Sequence, residues 1–400
     1  QRNALLVESI GALENIKSMR AETQLLRKWT ELTKNASRTS ESIKQISAGA
    51  ANSTQFVQQL VTVGLVISGA YAFANGQITT GAIIATVMLS GRAVAPLAQI
   101  TMTLSRLHQA MLSLRILDEI MSQPEDIPNS AGFVNREVTS GSLEAKSLEF
   151  IYPETDHKVI TDMNFSIRPG ERIGIIGKIG SGKTTFGRLV CNLYEPSNGR
   201  LLIDGVDMRQ YHPHEVRKAV SFAGQTAELF MGTLKENLLV AKPDATDKEL
   251  IEVARKTGLD EFVSRHPKGF DMPVGERGDR LSGGQKQSVI IARLLLTDPK
   301  IVFLDEPSGS MDLASERILM KTLASSFSKE TTLIISTHRY SMLELVDRLM
   351  VLDNGRLIAD GPKDIVLKQL AERAAKADPT LKPKVTRTTS PQQTVTERVS

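Results

Sequence analysis

The sequence predicts an α-helical transmembrane fragment with two spans, followed by an α/β domain with a largely parallel sheet. No residue from Gln45 through Gly91 carries a charge, and this stretch is more than twice the ~20 apolar residues that one bilayer span needs. From Gly141 to Leu370, β-rich apolar runs alternate with helical segments. That alternation is typical of α/β folds, in which helices cover a parallel sheet.

Composition narrows the class of protein. The length of 400 residues indicates two or three domains. The net charge is only +4, and no basic stripe carries interleaved aromatic residues, so we predict no nucleic-acid partner. The single cysteine, Cys191, rules out an internal disulfide, and we interpret it as a buried packing residue rather than a reactive thiol. The chain begins at Gln1 without a signal-peptide pattern, and we expect a further N-terminal portion before it.

Residues 1–122 are predicted to be helical. Up to Lys44, charged and apolar residues alternate at helical spacing, with a break near residues 8–12. Two spans fit the uncharged stretch, at about 55–74 and 80–104, and the second helix is expected to continue to about Met121. The alternative is a buried helical hairpin in a soluble protein.

The basic residues indicate the orientation of the two spans. They lie on both outer flanks and are absent from the intervening turn at residues 75–77, so both ends are expected to face the cytosol. Arg92 and Pro96 fall inside the second span; Arg92 either lines a transport pathway or hydrogen-bonds carbonyl groups that Pro96 leaves free. The flanking basic residues are Arg2, Lys17, Arg20, Arg27, Lys28, Lys34, Arg38 and Lys44 before the spans, and Arg106 and Arg115 after them.

Three further boundaries follow from local composition. Residues 123–140 are predicted to be a linker because they contain the turn-favouring residues Pro124, Pro128, Asn129 and Gly132. The α/β domain is predicted over residues 141–370, and early strands at 142–151 and 159–167 indicate an added antiparallel β-part. Residues 371–400 are polar, with three prolines, and are predicted to be a disordered tail.

A glycine-rich loop follows the apolar run Ile173–Ile176 and precedes a predicted helix over Thr184–Leu193. A phosphate-binding P-loop requires this strand–loop–helix context, because its backbone N–H groups must point at phosphate oxygens. Lys183 is expected to reach the terminal phosphates, and the Thr184 hydroxyl can ligate Mg²⁺. The residues predicted to bind the nucleotide here are Gly177, Lys178, Ile179, Gly180, Ser181, Gly182, Lys183, Thr184 and Thr185.

A second apolar run, Ile301–Leu304, ends in two acids. Asp305 is predicted to bind Mg²⁺, which neutralises phosphate charge, and Glu306 to position and activate the attacking water as a general base. The alternative, a strand that ends at the surface in two solvated acids, is disfavoured by the P-loop upstream.

A third motif identifies the family. Leu281, Ser282, Gly283, Gly284 and Gln285 stand before a predicted helix, and this pentapeptide is the signature motif of the ABC ATPase family. Together with the two motifs above, it makes residues 141–370 resemble an ABC ATPase domain. The resemblance implies a P-loop fold with an antiparallel β-part and a helical subdomain, the cofactors ATP and Mg²⁺, and ATP hydrolysis.

The resemblance also implies roles for single residues. Tyr152 occupies the place of the aromatic residue that stacks on adenine. Gln225 matches the residue that contacts Mg²⁺ and senses the γ-phosphate, and His338 matches the switch histidine that holds the γ-phosphate and the catalytic glutamate. Asp312 is the acid of the D-loop, although residues 309–312 read Gly-Ser-Met-Asp where the family usually has Ser-Ala-Leu-Asp. The implied catalytic set is Lys183, Gln225, Glu306 and His338, and the implied metal ligands are Thr184, Gln225 and Asp305.

The predicted spans come before the ATPase domain in the chain. This order resembles that of ABC exporters, in which six spans precede the ATPase domain. Residues 1–122 would then supply the last two spans, with residues 8–20 as a coupling helix. In this family ATP lies between the P-loop of one protomer and the signature motif of the other, which implies a homodimer.

Four segments are similar to inner-membrane exporters of type I secretion, in the branch that exports large adhesins and RTX-type proteins (LapB-type). They are Met88–Ala93, Gln287–Val289, Ser336–Arg339 and Val346–Arg348.

That resemblance implies a multi-pass protein of the bacterial inner membrane with its ATPase domain in the cytoplasm. The implied partners are the lipid bilayer, a periplasmic adaptor (membrane fusion protein), an outer-membrane channel and an exported protein substrate. Two alternatives stay open. One is an exporter of lipids, small molecules or peptides with the same ATPase. The other is a regulatory ABC protein that does not transport, which the intact motifs disfavour.

Overall fold

The computed structural model describes residues 2–123, 125–127, 132–134, 136–226, 228–309 and 311–377. The chain divides into two compact units, residues 1–124 and 125–400. Ser310 of the D-loop and residues 378–400 of the tail, which was predicted to be disordered, lie outside the described residues.

The first unit is helical, as predicted. Its helices are α1 (Arg2–Gly11), α2 (Leu13–Ser18), α3 (Glu22–Ala74) and α4 (Thr80–Met121). Non-helical backbone at Ala12 separates α1 from α2. This confirms the break predicted near residues 8–12. The segment predicted as a coupling helix at residues 8–20 therefore contains the end of α1, this break and α2. Helix α4 begins where the Thr79 hydroxyl accepts a hydrogen bond from the Ala82 N–H, which is an ordinary N-cap.

The first predicted span is part of α3. Among the described residues, Gln55–Ala74 is the one helical stretch long and apolar enough to cross a membrane, with a mean hydropathy of 1.5 and mostly exposed residues. In α4, the apolar stretch Thr80–Ala93 is shorter than the ~20 residues of a full span. Arg92 is exposed, whereas the side chains of residues 94–102, including Pro96, lie outside the description.

The second unit contains two sheets. Its strands are β1 (Leu143–Ile151), β2 (Lys158–Ile167), β3 (Arg172–Gly177), β4 (Asn198–Ile203), β5 (Val206–Asp207), β6 (Val220–Ala223), β7 (Ile301–Asp305), β8 (Thr332–Ser336), β9 (Arg348–Asp353) and β10 (Arg356–Pro362). The predicted antiparallel part is the sheet β2–β1–β4–β5. The larger sheet has the order β10–β9–β3–β8–β7–β6, and all its pairs are parallel except β10 with β9.

Helices cover the sheets and form the predicted helical subdomain. They are α5 (Lys183–Val190), α6 (Pro213–Ala219), α7 (Leu234–Leu239), α8 (Asp247–Thr257), α9 (Asp260–Val263), α10 (Gly283–Thr297), α11 (Leu313–Ser326) and α12 (Lys363–Ala377). Helices α7 to α10 share their own apolar core, which includes Leu238, Leu250 and Val289. Every residue of β7 and β8 is buried, which explains why these strands read as unbroken apolar runs. Helix α12 extends seven residues into the segment predicted to be disordered.

The predicted linker contacts the ATPase-like unit at several of its described residues. The Asp126 carboxylate pairs with the Arg217 guanidinium, with Oδ1 2.7 Å from Nη2. Further along, the Val134 N–H donates to the Gln210 carbonyl at 2.7 Å. These contacts fix the linker on the surface of the unit, so it is not a free tether at these positions.

Asp204, in the turn between β4 and β5, anchors the end of the linker. Its carboxylate accepts backbone N–H groups of Thr139, Ser140 and Ser142, each at 2.9 Å. Burial raises the pKa of this carboxyl, but the hydrogen bonds from Ser140, Ser142 and Thr139 outweigh burial and lower the pKa to about 2. An unfolded aspartate titrates near 3.8, so the stabilisation is complete above about pH 4 and is lost as the pH falls towards 2.

We therefore expect Asp204→Asn to lower the free energy of unfolding by about 1–2 kcal/mol at pH 7, after allowance for solvent screening. The difference from the wild type shrinks at pH 3, because the wild-type carboxylate then begins to lose its advantage. Urea unfolding of the full chain in detergent, followed by circular dichroism, measures both values. Asp244→Asn, at an exposed carboxylate, is the matched control. A destabilisation that is equal at pH 7 and pH 3 would contradict this role of the charge.

Candidate active site

The P-loop lies where β3 ends, at the carboxyl edge of the parallel sheet, which is the usual binding edge of such sheets. A Cβ atom on Gly177 would lie 2.2 Å from the Leu352 carbonyl oxygen and 2.6 Å from Ser181 Oγ, so only glycine fits there. Gly182 stands at the start of α5 with φ of 98°, a conformation that favours glycine. Both glycines are thus needed to wrap the loop tightly in front of the helix.

Lys183 folds back across this loop. Its Nζ donates to the carbonyl oxygens of Gly177 at 2.9 Å and Lys178 at 3.2 Å. Helix α5 begins at Lys183, so the free N–H groups of its first turn face the loop together with the ammonium group. The buried Ser181 hydroxyl has no hydrogen-bond partner among the described residues. This combination of donors suits the oxygens of a phosphate.

The predicted metal ligands Thr184 and Asp305 contact each other, since the Thr184 hydroxyl donates to Asp305 Oδ2 at 2.6 Å. Asp305 is only 1% exposed, and its Oδ1 has no partner within the described part of the chain. A buried carboxylate oxygen without a partner is unfavourable, and a hard cation such as Mg²⁺ binds carboxylate and hydroxyl oxygens. These residues therefore fit Mg²⁺. Gln225 is exposed and lines the same cleft as Thr184.

The register of two central strands brings Glu306 and His338 together. Asp305, the last residue of β7, pairs with Ser336, the last residue of β8. Glu306 then turns off the strand with φ of 50°, which is rare for a residue other than glycine and is common at functional sites. As a result, its Oε2 lies 2.7 Å from His338 Nδ1. The Glu306 side chain is 11% exposed and that of His338 is 67% exposed, so the pair lies at the edge of the site.

Tyr152 lies against the first turns of α5. Its hydroxyl is 3.0 Å from Thr185 Oγ1 and accepts a hydrogen bond from Arg188 Nη1 at 3.2 Å. Its ring packs edge-to-face against Phe150 and Tyr194, with centroids 4.9 Å and 5.3 Å away. The structure thus places this aromatic ring next to Thr185 and Arg188, and its stacking on adenine stays a prediction.

The signature motif lies at the start of α10. The Ser282 N–H donates to Gln285 Oε1 at 2.9 Å and the Gln285 N–H donates to Ser282 Oγ at 3.3 Å, so these two side chains cap the helix. Ser282 and Gly283 are exposed, and Leu281 is buried. The cleft beside Ser282 is lined by residues of α8, α10 and α11 and contains none of the described P-loop residues. Within this chain, the signature motif and the P-loop therefore line different clefts.

Asp312 caps the helix that borders the signature cleft. Its carboxylate accepts the Ser315 N–H at 2.7 Å, and this hydrogen bond lowers the pKa of Asp312. The D-loop acid thus has a local structural role at the start of α11.

Sequence reasoning missed two polar groups near the site. Arg293 of α10 is mostly buried, which lowers its pKa, and its guanidinium donates to the carbonyl oxygens of Asn237 at 2.7 Å and Glu228 at 3.3 Å. It joins the signature helix to the segment that follows Gln225. Glu316 of α11 is buried beside the turn that carries His338. Neither residue stands in a recognisable motif, because burial of a charge becomes visible only in the folded structure.

Comparisons with known proteins identify a matching family, relatives and a similar solved structure. Residues 160–309 match the family described as ABC transporter. The chain is 31% identical over 370 residues to the alpha-hemolysin translocation ATP-binding protein HlyB of Escherichia coli O157:H7, a match that covers 92% of this chain and 52% of the relative. It is 30% identical to the toxin RTX-I translocation ATP-binding protein of Actinobacillus pleuropneumoniae, over 90% of this chain and 50% of the relative. The chain thus spans about half the length of the curated relatives it matches.

A solved structure of a bacterial Atm1-family ABC exporter with ATP bound is also similar. The two have a TM-score of 0.84 at 26% sequence identity, over 94% of this chain and 67% of that one. The match extends over both the helical fragment and the P-loop unit, and it confirms the predicted fold class. The chain therefore carries an ABC transporter ATPase domain behind a helical fragment, in the fold of the ABC exporters.

Proposed function

We propose that this protein drives export across the bacterial inner membrane by hydrolysing ATP, and that its substrate is a large unfolded protein of the adhesin or RTX type. The observation that carries the ATPase part is the Glu306–His338 pair, at 2.7 Å, next to the Thr184–Asp305 contact. The substrate class is supported by the relatives, which are named as translocation proteins for alpha-hemolysin and toxin RTX-I.

The residues of the site have different roles in phosphoryl transfer. Lys183 and the N–H groups of the P-loop bind the terminal phosphates and stabilise the charge that develops on them. Glu306 orients the attacking water and takes its proton, while His338 holds the Glu306 carboxylate in place. Thr184, Asp305 and Gln225 would hold Mg²⁺, which would further neutralise the phosphate charge when bound.

The proposed working unit is a homodimer. Each chain has one P-loop and one signature motif, and in the structure these line separate clefts. An ATP sandwiched between the two motifs therefore needs two chains, in a symmetric arrangement that forms two equivalent sites. We further propose that residues 8–20 dock on the ATPase domain of the partner. A periplasmic adaptor and an outer-membrane channel would complete the export path of this multi-pass protein, with the ATPase domain in the cytoplasm.

A second candidate function is the export of lipids or small molecules by the same ATPase. Its support is that the solved ABC exporter, which matches 94% of this chain, is described without a protein substrate. The site chemistry is common to both functions, so the substrate must be identified in the cell.

Introducing Glu306→Gln into the gene in its native cell tests the proposed function. We expect one large protein to disappear from the medium or the cell surface and to accumulate inside, because export without hydrolysis stalls. Quantitative proteomics of the medium, the cell surface and the cytoplasm measures this change. Glu330→Gln makes the same chemical change at an exposed position and is the control. An unchanged protein profile would contradict protein export and would direct the search to lipids and small molecules.

A further inference from the structure

A buried carboxylate ties the turn that carries His338 to helix α11. Glu316 is only 3% exposed. Its Oε2 accepts a hydrogen bond from Arg339 Nη1 at 2.7 Å, and its Oε1 accepts one from the Ser341 hydroxyl. Burying a carboxylate is unfavourable unless it is paired and hydrogen-bonded, and both oxygens of Glu316 meet this requirement. The turn is thus fixed to α11 on both sides of residue 340.

The backbone around His338 is held on either side of this histidine. On one side, Thr337 is 1% exposed, and its hydroxyl accepts the Arg339 N–H at 3.0 Å. On the other side, the Arg339 side chain reaches Glu316. The imidazole itself is 67% exposed and contacts Glu306. The direction of His338 is therefore set by anchored neighbours rather than by packing of its own ring.

The same helix begins at the D-loop. The Glu316 N–H donates to the Asp312 carbonyl oxygen at 2.9 Å, so the two residues are one helical turn apart. Leu313, next to Asp312, is 75% exposed. An unbroken series of contacts thus runs from the exposed start of α11, through Glu316 and Arg339, to the turn of His338.

We propose that Glu316 is a positioning residue: acting through Arg339, it couples the D-loop end of α11 to the contact between His338 and Glu306. A partner protomer that contacts the exposed start of α11, at Asp312 and Leu313, would then set the geometry of the catalytic pair. This inference rests on the proposed function, ATP hydrolysis at a homodimer interface, and adds a connection between that interface and the general base.

A double-mutant cycle in the full chain tests the proposal. The variants are Arg339→Ala, His338→Ala and the double variant, with ATP hydrolysis measured in single-turnover experiments so that slow variants stay quantifiable. We expect Arg339→Ala to lower kcat by roughly tenfold with little change in KM. In the His338→Ala background, the same substitution is expected to cause no further loss, because Arg339 acts through His338. Arg317→Ala, at an exposed position of α11, is the control and keeps wild-type kcat.

Two results would overturn the proposal. One is an unchanged kcat in Arg339→Ala. The other is an equal loss with and without His338, which indicates a merely structural role. If Arg339→Ala does not fold, Glu316→Gln replaces it in the same cycle, since it keeps the side-chain shape and removes the charge. Failure of the proposed function is distinguishable, because it appears as normal turnover in Glu306→Gln, a variant that leaves Glu316 and Arg339 in place.

Discussion

We expect Glu306→Gln to lower kcat for ATP hydrolysis by a factor of ~10²–10⁴, because a positioned general base contributes about that much. The amide keeps the size of the side chain but cannot take a proton from water. ATP binding should be retained, since the P-loop and the Thr184–Asp305 contact are untouched. Steady-state ATPase assays of the full chain in detergent give kcat, and equilibrium binding of a fluorescent ATP analogue gives Kd.

The control for this prediction is Glu330→Gln, whose exposed carboxylate lies outside the site and whose turnover should match the wild type. Near-wild-type kcat in Glu306→Gln would remove Glu306 as the base. A raised Kd with unchanged kcat would instead assign Glu306 to ATP binding.

We expect two inactive variants to form an active heterodimer. Lys183→Ala removes the ammonium group of the P-loop, and Gly283→Arg places a large side chain on the exposed signature surface while the Ser282–Gln285 cap stays in place. In a dimer with one copy of each, one site carries both lesions and the other site carries neither. The activity of the heterodimer should therefore reach about half of the wild type if the two sites act independently.

Producing the two variants together with different affinity tags allows the heterodimer to be isolated and its ATPase rate measured. The matched control pairs Lys183→Ala with Asp305→Asn. Both of these lesions lie in the P-loop half, so each site carries one of them and no activity returns. If the first pairing is as inactive as this control, the composite site is wrong.

The site could largely be predicted from the sequence because its parts are local. A P-loop is a short segment whose glycines, lysine and following helix are consecutive, and the structure shows it between β3 and α5. The strand β7 and the two acids at its end could also be predicted, because a buried parallel strand is an unbroken apolar run in the sequence. Helix boundaries were less exact: the helix predicted at 184–193 begins at Lys183 and ends at Val190.

Other features depend on pairings between distant segments and have no local pattern. The linker composition predicted a spacer, whereas its contacts with Asp204 and Arg217 fix part of it on the domain. The contacts of Glu316 could not be foreseen either, because a glutamate in an amphipathic helix is usually solvated.

Sequence alone predicted which groups this protein brings to its chemistry. The phosphate-binding loop and the two acids follow from residue type and local spacing, whereas the signature motif and the switch histidine follow from the resemblance to ABC ATPases. The folded chain established how these groups meet. Parallel pairing of β7 with β8 brings Glu306 next to His338. The buried Glu316 carboxylate, through Arg339, holds the turn of His338 against α11. Such distances follow from strand register and packing, which many weak contacts along the whole chain decide together.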